Sequence, residues 1–79
     1  MEIKILGTGC ANCKKLDANA KKAVEELNLD AQITKVEDMK DIMKYGVMRT
    51  PALVINEKVK MYGKVLTVDE IKKYINEEK

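Results

Sequence analysis

Seventy-nine residues set the scale of one domain, and a chain of this length buries only roughly 60–65% of its unfolded surface. Fifteen basic and thirteen acidic residues leave a net charge of +2, spread along the chain, which excludes the segregated basic face of a nucleic-acid binder. An apolar fraction of 46% argues against disorder, and no apolar run approaches the ~20 residues that a membrane span needs. The opening Met1-Glu2-Ile3-Lys4 has no signal-peptide pattern, so a cytoplasmic location and no membrane partner are expected. The aromatic residues are Tyr45, Tyr62 and Tyr74, so the core must come from Ile, Val, Leu, Met and Ala.

Glu2-Ile3-Lys4-Ile5-Leu6 reads as a first strand. Gly7 and Gly9 follow, with the backbone freedom that a strand-to-helix turn uses. From Cys10 to Asn28 the apolar positions Cys13, Leu16, Ala20, Ala23, Val24 and Leu27 recur at intervals of three and four, a helical stripe. The lysines of this segment read as a solvated face, with Asp17 and Lys21 spaced as an ion pair and Asn28 near the helix end. Gln32–Val36 reads as a second strand. Asp38 is placed to cap a short helix with Met39, Ile42 and Met43 on its apolar side, Tyr45 near its end and Gly46 behind it. Ala52–Ile55 is nearly all apolar and so a central strand, Asn56-Glu57-Lys58 a polar turn, and Val59–Tyr62 a fourth strand closing a hairpin. Thr67-Val-Asp-Glu70 has the capping-box pattern of a last helix carrying Val68, Ile71, Tyr74 and Ile75 on one face, with Asn76 to Lys79 expected to fray. The order βαβαββα predicts an α/β fold: a four-stranded mixed sheet with helices on both faces, in one domain spanning residues 1–79.

Both cysteines, Cys10 and Cys13, lie where the first strand meets the first helix. A Cys-x-x-Cys there is the layout of a dithiol redox site and also of some metal-binding loops. A structural staple is a poor explanation, because the chain-entropy relation gives about 2 kcal/mol for so short a loop. Cys10 falls at the helix start, where free backbone N–H groups and the helix dipole favour a thiolate, the attacking species in disulfide exchange. Cys13, one turn on, begins the apolar stripe. The chemistry that follows is attack by Cys10 on a substrate disulfide, then attack by Cys13 on the mixed disulfide, with Lys14 or Lys15 adding positive charge. Cys13 alone would also serve as a small core residue. Pro51, the only proline, opens a central strand, where it removes a ladder donor; a trans proline starting the strand and a cis Thr50–Pro51 bond both fit.

Taken together, these features make the chain resemble the thioredoxin fold in its minimal, glutaredoxin-sized form. More closely, Gly-Thr-Gly-Cys-x-Asn-Cys with Tyr-Gly-Val-Met-x-Thr-Pro-Ala-Leu-Val-Ile resembles small archaeal and bacterial thioredoxin-like proteins sometimes called redox-active disulfide proteins. The resemblance implies a thiol–disulfide oxidoreductase with Cys10 attacking, Cys13 resolving, Pro51 as a cis-proline beside them and the Thr50 backbone pairing with an extended substrate. It implies protein disulfide substrates, a thioredoxin-reductase-like electron donor, a monomer and no cofactor. Thioredoxins usually carry Trp-Cys-Gly-Pro-Cys, whereas Gly9 stands here in place of the Trp and Ala11-Asn12 fill the middle. Glutaredoxins usually carry Val-Pro and a later Gly-Gly-x-x-Asp. Here Arg49-Thr50-Pro51 and a lone Gly63 point away from glutathione and toward protein partners.

The competing reading is a Cu(I) or Zn(II) carrier using the same pair, since soft thiolates suit both ions. Heavy-metal-associated domains, however, usually read Met-x-Cys-x-x-Cys in a βαββαβ order, and this chain has Thr8 at the Met place and ends on a helix. It has no histidine, so two cysteines supply half of a closed zinc site. Met39, Met43 and Met48 read as core and groove residues rather than as a soft-metal cluster. A third reading is a binding module that keeps the fold with idle chemistry, which the intact cysteine pair disfavours.

Overall fold

The computed structural model describes residues 1–78. The elements run β1 (Glu2–Leu6), α1 (Ala11–Glu26), β2 (Gln32–Val36), α2 (Met39–Lys44), β3 (Ala52–Ile55), β4 (Lys58–Tyr62) and α3 (Val68–Glu77). The sheet order is β2-β1-β3-β4. β1 pairs parallel with β2, and β3 pairs antiparallel with both β1 and β4. This is the mixed α/β sheet that the element order predicts.

Strand alternation divides the core between the two faces of the sheet. Ile3 and Ile5 of β1 and Leu53 and Ile55 of β3 point to the face covered by α1 and α3, in a cluster of eleven buried residues. Leu6, Ala52 and Val54 point to the other face, where Ile42 and Val47 complete a cluster of five. At about 1.5–3 kcal/mol for each large aliphatic side chain fully buried, the larger cluster dominates the stability. β3 is buried along its whole length, as its apolar run predicts.

Caps mark the helix ends. Asn28 ends α1 with φ 52°. The Leu29 N–H donates to the Val24 carbonyl at 3.1 Å and the Asn28 N–H to the Glu25 carbonyl at 3.0 Å, the paired bonds of a Schellman ending. Asp38 caps α2 by accepting from the Lys40 N–H at 2.9 Å. Thr67 and Glu70 form the predicted capping box on α3, with the Glu70 N–H donating to Thr67 Oγ1 at 3.2 Å and the Thr67 N–H to Glu70 Oε1 at 3.1 Å. The Thr67 N–H first, and then the Thr67 hydroxyl, which also donates to Glu70 Oε1 at 3.1 Å, hold the Glu70 carboxyl below the ordinary glutamate range.

Three expectations change. Met39 and Met43 are exposed, and of α2 only Ile42 is buried. Six residues make less than two turns, and Val47 and Tyr45 cover the rest of the small apolar patch beneath. The hairpin turn is shorter than expected, because β4 begins at Lys58. Asn56 and Glu57 alone make the turn, with φ of 50° and 68°, the left-handed pair that matches strand twist. Glu57 holds this conformation without being glycine, and its carboxylate is tied to Lys4 Nζ at 2.5 Å and to Tyr45 OH at 3.2 Å. That tie, the Lys4 hydrogen bond first, draws the Glu57 carboxyl down, and the same bond raises the Lys4 ammonium.

The third change is at the end of α3, which stays helical through Glu77 where fraying is expected. Glu78 then bonds Lys60 at 2.7 Å and Lys58 at 3.2 Å, fastening the helix end to β4; the rest of the fraying expectation, at Lys79, lies outside the described residues. β4 also carries a bulge, since Leu53 pairs with Met61 but Val54 with Val59, leaving Lys60 as the extra residue.

Candidate active site

The site forms where β1 stops. Gly7 is buried, and its N–H donates to the Val36 carbonyl at 2.9 Å, so the chain is still joined to the sheet as it reaches the helix. A Cβ on Gly7 would collide with Cys13 Sγ and lie 3.0 Å from Cys13 Cβ. Only glycine lets the strand end lie this close to the sulfur. Gly9, at φ 91°, then turns the chain into the helix.

Cys10 is the N-cap of α1, with extended φ and ψ of −69° and 168°. Its Sγ accepts the Cys13 N–H at 3.2 Å, and its carbonyl accepts the Lys14 N–H at 3.0 Å. The first turn carries no acidic side chain, so the helix N-terminus keeps its partial positive charge, roughly half an elementary charge. Negative charge on Cys10 Sγ is therefore stabilised by a backbone donor and by the helix. Cys10 is exposed, whereas Cys13 is only 4% exposed. The two are joined in a disulfide with Cα atoms 5.0 Å apart, inside the usual range for such a bond.

The register of β1 with β3 sets Leu6 opposite Ala52, which brings Pro51 to the cysteine end of the sheet. The Thr50–Pro51 bond is cis. Pro51 is buried, its carbonyl accepts the Gly63 N–H at 2.9 Å, and Thr50 beside it is half-buried. Cys10, Cys13, Thr50 and Pro51 thus gather at one end of the sheet from two separate segments. Met48, in the loop before Pro51, is largely exposed to solvent.

On the β2 side of the disulfide lies a cleft of about 90 Å³, lined by Ile5, Gly7, Gly9, Cys13, Lys14, Asp17, Lys35 and Glu37. Lys14 therefore shares this cleft with Cys13. Asp17 pairs with Lys21 at 3.1 Å as the spacing predicts, and it is buried, at 6% exposure, which the sequence reading does not anticipate. A signal was available: position 17 completes the stripe of Cys13, Leu16, Ala20 and Ala23, four residues after Cys13. Among the described residues no cluster of three or more His, Cys, Asp or Glu side chains is placed to hold a metal ion. No described helix is long and apolar enough to cross a membrane.

A family model for the thioredoxin domain matches residues 1–76. A thioredoxin of Methanothermobacter thermautotrophicus is 42% identical over 76 residues, covering 96% of this chain and 99% of its own length. A thioredoxin of Methanocaldococcus jannaschii is 44% identical over 70 residues, covering 89% of this chain and 80% of its own. A buried strand end, an N-capping cysteine and a second cysteine one turn behind it are thus found in a chain that matches these proteins along nearly its whole length. The chain belongs to the thioredoxin family, and its activity is thiol–disulfide exchange.

Proposed function

We propose that this protein reduces protein disulfides through Cys10 and Cys13 in fixed order. Cys10 attacks the substrate disulfide and expels the first substrate thiolate. Cys13 then attacks Cys10 Sγ, the second substrate sulfur leaves, and the intramolecular disulfide closes with two electrons passed to the substrate. The observation that carries this order is the contrast in setting. Cys10 is exposed, with a backbone N–H on its sulfur, while Cys13 is buried behind it. An incoming disulfide meets Cys10 first, and the bound state brings Cys13 into play. Thr50 and Pro51 are the residues we assign to the backbone of an extended substrate, following the family resemblance. A reductase of the thioredoxin-reductase kind would restore the dithiol, and the protein acts as a monomer in the cytoplasm.

The test is trapping. Cys13→Ser, mixed with a disulfide-bonded protein and without added reductant, should accumulate a mixed disulfide that mass spectrometry places on Cys10. Cys10→Ser should form none and should lose turnover in an insulin-reduction assay. Full turnover by Cys10→Ser, or a mixed disulfide on Cys13 in the wild-type reaction, would reverse the assignment.

A further inference from the structure

Among the described residues, one buried side-chain polar atom lacks a hydrogen-bond partner: Asp17 Oδ1. Leaving a buried acceptor unsatisfied is costly, more so when it is charged, so such an atom calls for an explanation. Its twin, Oδ2, is held by Lys21 at 3.1 Å and Lys35 at 3.4 Å. These two lysines, from α1 and β2, hold Oδ2 and leave Oδ1 buried without a partner. Asp17 and Cys13 line the same cleft. They stand four apart on α1, about 5–6 Å between Cβ atoms, and helical side chains lean toward the N-terminus, which tilts Asp17 toward Cys13. A cleft of about 90 Å³ with four charged side chains in its lining has room for ordered water. The other charged groups facing it are Lys14, from α1, and Glu37, after β2.

We propose that Asp17 is the proton acceptor for Cys13. This rests on the reading that Cys13 resolves the mixed disulfide. In that state Cys13 is a thiol and must lose a proton as its sulfur bonds to Cys10. One water in the cleft accepts a hydrogen bond from the thiol and donates one to Asp17 Oδ1. As the Cys13–Cys10 bond forms and the Cys10–substrate bond breaks, the thiol proton passes through this water to Oδ1. The electron pair of the broken bond leaves on the substrate sulfur, which takes its proton from solvent. Asp17 returns its proton to solvent along the open cleft. In the reverse direction the protonated Asp17 supplies the proton to Cys13 as the disulfide opens.

The experiment separates the two chemical steps. Reduced protein is mixed with 5,5′-dithiobis(2-nitrobenzoate), and released aryl thiolate is followed by stopped flow from pH 5.5 to 9. The first equivalent reports attack by Cys10 and the second attack by Cys13. In Asp17→Asn the second release should slow at least tenfold at pH 6, below the ~10²–10⁴-fold of a positioned acid or base because a thiol also ionises unaided. The gap should close as pH rises, the first release should stay as in the wild type, and Asp17→Glu should restore most of the rate. A purely electrostatic role predicts the opposite sign. Removing a negative charge beside Cys13 favours its thiolate and would speed the second release. A faster or unchanged second release in Asp17→Asn overturns the proposal.

Should Asp17→Asn fail to fold, the wild type alone decides. At pH 6 its second release should be slower in deuterium oxide, as a proton in flight requires, and an equal or faster release overturns the proposal. Failure of the parent reading looks different: Cys10→Ser, left with the single thiol of Cys13, would release its one equivalent as fast as the wild type releases its first.

Discussion

Gly7→Ala tests whether the strand end must lie against the resolving sulfur. Gly7 has no positive φ, so alanine fits its backbone, and on chain entropy alone the change would stabilise by about 0.4–1 kcal/mol. Against this stands the collision of the new Cβ with Cys13 Sγ and its 3.0 Å approach to Cys13 Cβ. Neither neighbour is the far end of a flexible chain, so the helix start must move away from the sheet. Overpacking of this kind costs about 1–3 kcal/mol. The net loss is then about 1–2 kcal/mol, which in a domain of this size lowers the Tm by about 5–15 °C. The assay is thermal unfolding of four reduced proteins: wild type, Gly7→Ala, Cys13→Ala and the double variant. Because Cys13→Ala removes the sulfur, Gly7→Ala should cost less in that background, with a coupling of at least about 1 kcal/mol. If Gly7→Ala costs the same in both backgrounds, or leaves the wild type unchanged, the contact is not what demands glycine here.

Two further outcomes follow from the fold. Ile42→Ala removes the one buried side chain of α2 and should cost about 2–4 kcal/mol, whereas Met43→Ala should stay within about 0.5 kcal/mol; equal losses in urea unfolding would restore Met43 to the core. The pH dependence of the oxidised protein has two limits. Glu26, Glu57, Glu70 and Glu78 are held below the ordinary 4.5, chiefly by Lys72, Lys4, the Thr67 N–H and Lys60 respectively. The unfolded chain therefore takes up more protons in acid, and this stability is present above 4.5 and lost as pH falls through the lower folded values. Lys4 and Lys60 are raised above 10.5, so their contribution is present below 10.5 and lost as pH climbs past it. The Tm should be flat between about pH 5 and pH 10 and fall on either side; a Tm at pH 3 equal to that at pH 7 would show these pairs contribute nothing.

How much of this was legible in the residues depends on what fixed each feature. β1, β2 and β3 were readable to the residue, because runs of branched aliphatics ended at turn formers such as Gly7 and Asn56. Cys10 as N-cap and the Thr67–Glu70 box were readable because a cap is a local bargain among neighbouring residues. The misses involve distant partners. The burial of Asp17 was not read because the cover over it comes partly from β2, and the ion pair with Lys35 crosses elements. Met39 and Met43 looked like core because helical spacing says which residues share a side, not how large a patch awaits them. The ordered end of α3 depends on lysines of β4 that nothing in Asn76-Glu77-Glu78 announces. The gathering of Thr50 and Pro51 with the cysteines was expected only through the family resemblance, since it is a property of strand register.

The bulge at Lys60 has a consequence for company. A sheet's outer strand offers a row of unpaired amides to any chain that can lie straight beside it. Here that row is interrupted where Val54 faces Val59, and Lys58 and Lys60 reach across to the end of α3. A second copy of the protein, approaching β4 with its own β4, would have to match a kink to a kink and set lysine against lysine. The β4 edge thus discourages self-stacking and lowers the risk that the protein aggregates with itself.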